Sequence, residues 1–280
     1  MAGSTVSALS LSKHEGAGND FLVAVDPEGK VRLTPELARA LCDRHLGVGA
    51  DGVMVAGPGR TGADLSMVLR NADGGEAELS GNGMRCLAQA AVEAGLVRPP
   101  DFTVATLSGV RAVSYQPGER PGHGAARVEM GRVRLGEERP HAVPGARARE
   151  ADVGNPHLVV IGGEDPSEID VAELGPRLEA HHQGGVNVEF VLWSGGDRLA
   201  LRVWERGVGE TLACGTGSCA AAAVARAWDL VGEHVLVDNP GGTLEVWLGP
   251  TEDDPVELAG PVRRVAEVQV DPMALLDGGR

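Results

Sequence analysis

One stretch of this 280-residue chain occurs twice. Residues 71–97, NADGGEAELSGNGMRCLAQAAVEAGLV, align without a gap on residues 205–231, ERGVGETLACGTGSCAAAAVARAWDLV, at an offset of 134 (214 minus 80). Glu76 then faces Glu210, Gly81 faces Gly215, Gly83 faces Gly217, and Leu96-Val97 face Leu230-Val231. Upstream, Leu65, Met67 and Leu69 match Leu199, Leu201 and Val203, each set alternating as a half-buried strand does. Further upstream the offset is 136 (154 minus 18): Gly18-Asn19 match Gly154-Asn155, His45 matches His181, and Gly49 and Asp51 match Gly185 and Asn187. Blocks that recur in one order, with only a small loop difference between them, mark an internal duplication. The expected fold is therefore α/β of the α+β kind, in two pseudo-symmetric domains. The division falls at 1–116 and 117–263, in the polar, Gly- and Pro-rich connection Gln116 to Gly124, with 264–280 free to return and complete the first half.

Bulk properties set outer limits. The length suits two domains of ordinary size, each with its own core. A net charge of −15 repels a nucleic-acid backbone and leaves no basic stripe to track one. The start, MAGSTVSALSLSKH, lacks the basic and apolar regions of a signal peptide, and the longest apolar run, Cys219 to Ala225, is far short of a membrane span. A cytoplasmic protein with no membrane partner is expected. Four cysteines without CxxC spacing argue against disulfides and structural zinc, so no metal is expected.

The repeated element carries the chemistry. From Ser218 to Ala227 almost nothing is polar on any side, which describes a helix buried all round. At its start Cys214 precedes Gly215 and Gly217, whose backbone N–H groups and helix dipole favour negative charge. That placement predicts a lowered thiol pKa and a thiolate near neutral pH. A free cysteine in an Ala-rich core is the commoner meaning of such a residue; the flanking glycines with Glu205, Arg206 and Glu210 favour a reactive one.

In chain order, strands are expected at Leu9 to His14 and Phe21 to Val25 around the loop EGAGNDF, and a helix from Thr34-Pro35 to about His45. That loop is not followed by a helix, so it is no dinucleotide site. Strands follow at Val53 to Ala56 and Leu65 to Arg70, then the first buried helix, stopped by Pro99-Pro100, then strands near 102–107 and 110–115. The second half repeats this: strands at Arg127 to Met130, Ala151 to Ile161 broken at GNPH, Val186 to Leu192 and Arg198 to Trp204, a helix at Asp170 to His182, and a weakly alternating tail at Val256 to Val270.

GAGNDF, NADGGEAELSGNGMRC, GNPH, GVNVEF and ERGVGETLACGTGSCA, in this order, resemble the motifs of the diaminopimelate epimerase family over nearly the whole chain. The resemblance implies two similar halves, each a mixed sheet curled around a central buried helix, with the active site in the cleft between them. It also implies a homodimer and a cofactor-independent enzyme that interconverts LL- and meso-2,6-diaminopimelate in lysine and peptidoglycan precursor biosynthesis. Inverting an α-carbon needs a base on one face and an acid on the other, which two opposed helix starts would supply. Backbone N–H groups of Gly81, Asn82, Gly215 and Thr216 would hold the substrate carboxylate, and no pyridoxal-type lysine is needed. By the same resemblance Asn19, Asn71, Asn155, Asn187, Glu205 and Arg206 would bind the substrate's two ends. His157 and Glu205 would lie beside the thiol positions and assist proton transfer. One departure is serious: the family's first catalytic cysteine is Ser80 here, and a hydroxyl is much less acidic than a thiol. Cys86, six residues on, lies roughly 9 Å further along a helix and is no substitute. Glu15, where the family usually has histidine, and Gly52 are smaller departures. Three readings follow: a diaminopimelate epimerase using Ser80 or a water; an epimerase, racemase or dehydratase of another amino acid relying on Cys214; or an inactive amino-acid-binding homologue. A Cys/His hydrolase built on Cys214 and His157 fits poorly, for want of a separate oxyanion site.

Overall fold

The computed structural model describes residues 8–139, 143–162 and 165–277. In chain order the elements are β1 (Leu9–Gly16), β2 (Asn19–Val25), α1 (Pro35–Cys42), β3 (Gly52–Pro58), β4 (Leu65–Asn71), α2 (Gly81–Glu93), β5 (Asp101–Thr106), β6 (Gly109–Pro117), β7 (His123–Gly131), β8 (Arg134–Glu138), β9 (Ala146–Asp152) and β10 (Pro156–Gly162). Then follow α3 (Val171–Glu179), β11 (Asn187–Trp193), β12 (Arg198–Glu205), β13 (Gly209–Thr211), α4 (Gly215–Ala227), β14 (His234–Asn239), β15 (Gly242–Trp247), β16 (Val256–Val270) and α5 (Pro272–Asp277). The architecture is mixed α+β, as the sequence implies.

The chain divides into two compact units. Unit 1 comprises the residues up to Gly16, Asp20–Ala126 and those from Pro261 onward; unit 2 comprises Ala17–Asn19 and Arg127–Gly260. The chain crosses between Ala126 and Arg127 inside β7 and returns inside β16, rather than in the connection at 116–124. That connection is a hairpin turn joining β6 to β7, closed by Gly118 N–H to His123 O (2.8 Å).

Within each unit the ladders repeat. In unit 1, β2 pairs parallel with β3 and β4 with β5, while β3–β4 and β5–β6 are antiparallel. In unit 2, β10–β11 and β12–β14 are parallel, and β11–β12 and β14–β15 antiparallel. Their registers refine the internal alignment. Phe21 pairs with Gly52 where His157 pairs with Asn187, so β3 and β11 correspond at an offset of 135 (187 minus 52), between the 136 upstream and the 134 downstream. Asn187 therefore matches Gly52, and Glu189 matches Met54.

Alternation along these strands sorts side chains between two helices. In unit 2, Leu158, Val160, Val188 and Phe190 join Val171 and Leu178 of α3 in one apolar cluster. The alternate residues, His157 and Glu189 among them, face the opposite side, where α4 packs on β9, β10, β11, β12, β14 and β15. In unit 1, Leu22, Ala24, Val53 and Val55 pack on Leu37, Ala38 and Leu41 of α1, and α2 packs on β1, β3 and β6. Burial on both faces explains why β2, β3, β10 and β11 read as nearly continuous apolar runs.

Helix ends differ from the sequence expectations. Thr34 Oγ1 caps α1 through Leu37 N–H (3.2 Å), but the helix stops at Cys42, because Asp43 turns the chain by accepting from His45 and Leu46 N–H. α3 ends at Glu179, short of His182. α2 and α4 close on a left-handed residue, Gly95 (φ 72°) and Asp229 (φ 57°), with Leu96 and Leu230 N–H reaching back to Ala91 and Ala225 carbonyls. Pro99-Pro100 thus lies beyond the end of α2 and does not cause it. Among the described residues no helix is long and apolar enough to cross a membrane.

Candidate active site

The two buried helices start alike. Ser80 caps α2 in an extended conformation (φ −138°, ψ 120°), and its hydroxyl accepts from Gly83 N–H at 3.0 Å. Cys214 caps α4 in the same way (φ −122°, ψ 116°), its sulfur accepting from Gly217 N–H at 3.4 Å. At both starts the first-turn N–H groups have no intrahelical carbonyl to bond. Oxygen and sulfur thus occupy equivalent cap positions.

Their surroundings are not equivalent. In unit 2, Cys214 Sγ lies 3.4 Å from Thr216 Oγ1, and Glu205, whose carboxylate accepts from the Thr211 hydroxyl, stands near enough for its charge to act on the thiol. Asn155 Nδ2 donates to Thr216 Oγ1 (3.4 Å), and Asn155 Oδ1 meets His157 Nε2 at 2.9 Å. His157 Nδ1 lies 2.7 Å from Glu189 Oε1, with neither side chain exposed. A connected set of polar side chains from β10, β11 and β12 therefore ends at one sulfur. In unit 1 the matching positions carry Phe21, Met54 and Asn71, so Ser80 has no such apparatus from its own repeat.

The thiol departs from the sequence expectation. Burial, reinforced by the carboxylates of Glu205 and Glu189, raises the Cys214 pKa well above the ordinary thiol range, outweighing the Thr216 and Gly217 hydrogen bonds that lower it. The helix start was expected to stabilise a thiolate; desolvation wins, and Cys214 rests as a thiol. Burial also raises Glu205, against its bond to Thr211. Thiol and carboxyl act on each other electrostatically, and both are displaced toward their protonated forms, a pairing suited to exchanging one proton. Cys86 is fully buried and burial pushes its pKa up to about 12, which leaves it inert.

The other expected residues fall into distinct places. Asn187 is buried and its Oδ1 accepts from Arg206 N–H at 2.8 Å, so it shapes the turn after β12. Arg206 folds back over Gly185 and donates to Gly184 O at 3.1 Å; Gly185 sits at φ 77°, and a Cβ there would come within 2.7 Å of Arg206 Cδ. Asn19 groups with unit 2, beside Gly18, whose added Cβ would meet Leu212 Cδ1 at 2.8 Å. Asn71 ends β4 in an exposed position, and the Asn82 side chain accepts from Arg85 (2.8 Å) rather than pointing outward unengaged. His157 reaches Cys214 through Asn155 and Thr216, not by direct contact. Glu15 pairs with Arg263 (3.1 Å), and Gly52 leaves no room for a side chain, since a Cβ would meet Arg70 O and the Phe21 ring at 2.9 Å. Two participants were missed from sequence, Thr211 and Glu189; the latter is a carboxylate inside the apolar run NVEFVLW.

A groove of about 510 Å³ in unit 2 is lined by Arg134, Arg139, Glu150, His157, His182 and Arg206 among others. Among the described residues no group of three or more His, Cys, Asp or Glu is placed to hold a metal ion.

The fold is that of amino-acid epimerases and their relatives. A hydroxyproline epimerase from Agrobacterium vitis, solved with bound trans-4-hydroxy-L-proline, superposes with a TM-score of 0.74 over 96% of this chain and 95% of its own, at 18% identity. A PhzF-family phenazine biosynthesis protein from Bacillus anthracis gives 0.70 over 94% and 99%, at 14% identity. Sequence then narrows the class: the diaminopimelate epimerase family model matches residues 11–136 and 150–265. Diaminopimelate epimerases of Synechocystis sp. and Synechococcus sp. (strain JA-3-3Ab) are 38% and 42% identical, covering 94% and 91% of this chain and 99% and 95% of their own. The chain belongs to the diaminopimelate epimerase family, and it is an isomerase.

Proposed function

We propose that this chain epimerises an amino acid without a cofactor, interconverting LL- and meso-2,6-diaminopimelate, by removing the α-proton on one face and returning a proton on the other. One observation carries the proposal: Cys214 caps a buried helix within the electrostatic reach of Glu205, and Ser80 caps the repeated helix in the same geometry. In this reading the two helix starts serve opposite faces of one α-carbon. On one face the Ser80 hydroxyl, or a water beside it, takes the α-proton and gives its own up to solvent. On the other Cys214, resting as a thiol, donates its proton to the carbanion, and Glu205 carries the proton that restores it. In the reverse direction the sulfur takes the α-proton after handing its own to Glu205. First-turn N–H groups of Gly81, Asn82, Gly215 and Thr216 hold the carboxylate onto which carbanion charge spreads. Asn19, Asn71 and Arg206 engage the far end of the substrate, while Asn155 and Asn187 hold the site's shape. The family resemblance further supports a homodimer working in the cytoplasm.

The test is proton NMR in deuterated buffer with LL- and meso-diaminopimelate. Stereoinversion with α-deuterium uptake is expected, falling about 10²-fold or more in Cys214→Ala, the scale of a lost general acid–base group. Binding without any α-exchange would overturn the proposal in favour of an inactive amino-acid-binding homologue. A second reading, turnover of another amino acid, is favoured by Ser80, because the family's own substrate is handled by two thiols. It predicts exchange with a different amino acid in the same assay and none with diaminopimelate.

A further inference from the structure

The Glu189 carboxylate is completely buried, and among the described residues its Oε2 has no hydrogen-bond partner. An ionised carboxylate with an orphan oxygen is a costly thing to bury, and unit 1 fills the matching position with Met54. Room for the carboxylate comes from Gly217: a Cβ there would lie 2.6 Å from Glu189 Oε1, whereas at Gly83 it would meet Met54 Sδ at 3.2 Å. Packing alone does not call for an acid here.

The hydrogen-bond chain says what the acid does. Asn155 Nδ2 is committed to Thr216 Oγ1, so its Oδ1 faces His157 Nε2. A carbonyl oxygen only accepts; Nε2 therefore carries a hydrogen. A neutral ring then presents a bare lone pair at Nδ1, 2.7 Å from Glu189 Oε1, and two lone pairs cannot face each other at that distance. Either the carboxyl is protonated or the ring is the imidazolium, and in both forms the pair holds two protons and is neutral as a unit. Thr216, accepting from Asn155, still has its own hydrogen free to donate to Cys214 Sγ, 3.4 Å away, which also receives Gly217 N–H. Glu205 from β12 and Cys214 itself act on this chain electrostatically, and Glu150, Arg139 and His182 share the groove that His157 lines.

We propose that Glu189 is a positioning residue: by sharing a proton with His157 it holds the ring as an Nε2–H donor and so aligns Asn155 and Thr216 as donors toward the Cys214 sulfur. This rests on the epimerase reading for its effect on rate, but not for its effect on the ring. In the full-length chain labelled with ¹⁵N-histidine, His157 Nε2 is expected to be protonated near pH 7. A ring carrying hydrogen only on Nδ1 would overturn the proposal whatever the enzyme acts on. In the exchange assay, Glu189→Met, which copies unit 1, should lower kcat by about tenfold or more with KM little changed, since a wrong tautomer elsewhere costs up to about 10⁴. Glu189→Gln, whose amide N–H can still donate to Nδ1, should recover most of the rate. Equal activity in wild type and Glu189→Met, or equal loss in both variants, sinks the positioning role. If Glu189→Met does not fold, the wild-type ring signal decides alone. Wild-type protein that exchanges no substrate but shows Nε2–H fails the epimerase reading and leaves this one standing.

Discussion

Ser80 and Cys214 show how one atom changes meaning with its neighbours. Both cap a helix, both accept from the N–H three residues on, and both precede a Gly-x-Gly pair. The sulfur has Glu205 acting on it electrostatically and the His157–Glu189 pair behind it, where the repeat gives Asn71, Phe21 and Met54 to Ser80. A hydroxyl without a base is a poor proton carrier at neutral pH, so oxygen limits the turnover proposed here. Ser80→Cys should raise kcat by about tenfold or more, because a thiol loses its proton far more readily than an alcohol. Steady-state rates of the two proteins check this; an unchanged or lower rate would mean that Ser80 does not limit turnover. At this scale motif and repeat mark Cys214, Glu205, His157 and the asparagines as candidates. The sequence concealed the thiol's true state, since desolvation depends on how much water the fold removes.

Among the elements, α3 shows tertiary contact overriding propensity. Gly175 sits inside this nine-residue helix, where alanine ordinarily gains about 1 kcal/mol. A Cβ at 175, however, would lie 2.4 Å from Trp204 Cγ and 2.6 Å from its Cβ, on a strand that the helix packs against. Overpacking of that kind costs roughly 1–3 kcal/mol. Gly175→Ala is therefore expected to destabilise by about 1 kcal/mol or more, with a lower denaturation midpoint and an unchanged slope; a stabilised variant would refute the close packing. Element boundaries followed the same logic. Strands with clear alternation and the two Ala-rich helices were legible. β8, β13, β14, β15 and most of β9 went unassigned, and the weak alternation of 256–270 concealed one continuous strand, β16. Besides its hairpin neighbour β15 it pairs with β1, distant in sequence, as in the pairing of Leu9 with Val270.

For the whole molecule, stability should follow one buried imidazole in acid. His14 is fully buried between Gln89 (2.9 Å) and Ser12 (2.8 Å), and burial lowers its pKa from 6.5 to about 4, against the Gln89 bond that raises it. Between those values the unfolded chain binds a proton that the folded chain refuses. Stability contributed by the neutral ring is thus complete above pH 6.5 and is lost as pH falls toward 4, by about 3 kcal/mol. Unfolding free energies across that window, compared with His14→Asn, check the sign; a wild-type loss no steeper than the variant's would contradict it.

The amino-acid sequence alone determined that the fold is built twice, that each copy buries an Ala-rich helix behind a glycine-flanked cap, and that the chain carries the motifs of one epimerase family. Periodicity and repetition are written along the chain, so they can be read there. The 135 offset of β3 and β11, the place of Glu189 beneath Gly217, and the protonated resting state of Cys214 were decided only by tertiary structure. Each depends on which strands pair, and in what register, and on how far a polar group is taken from water, quantities set by residues brought together from distant parts of the chain.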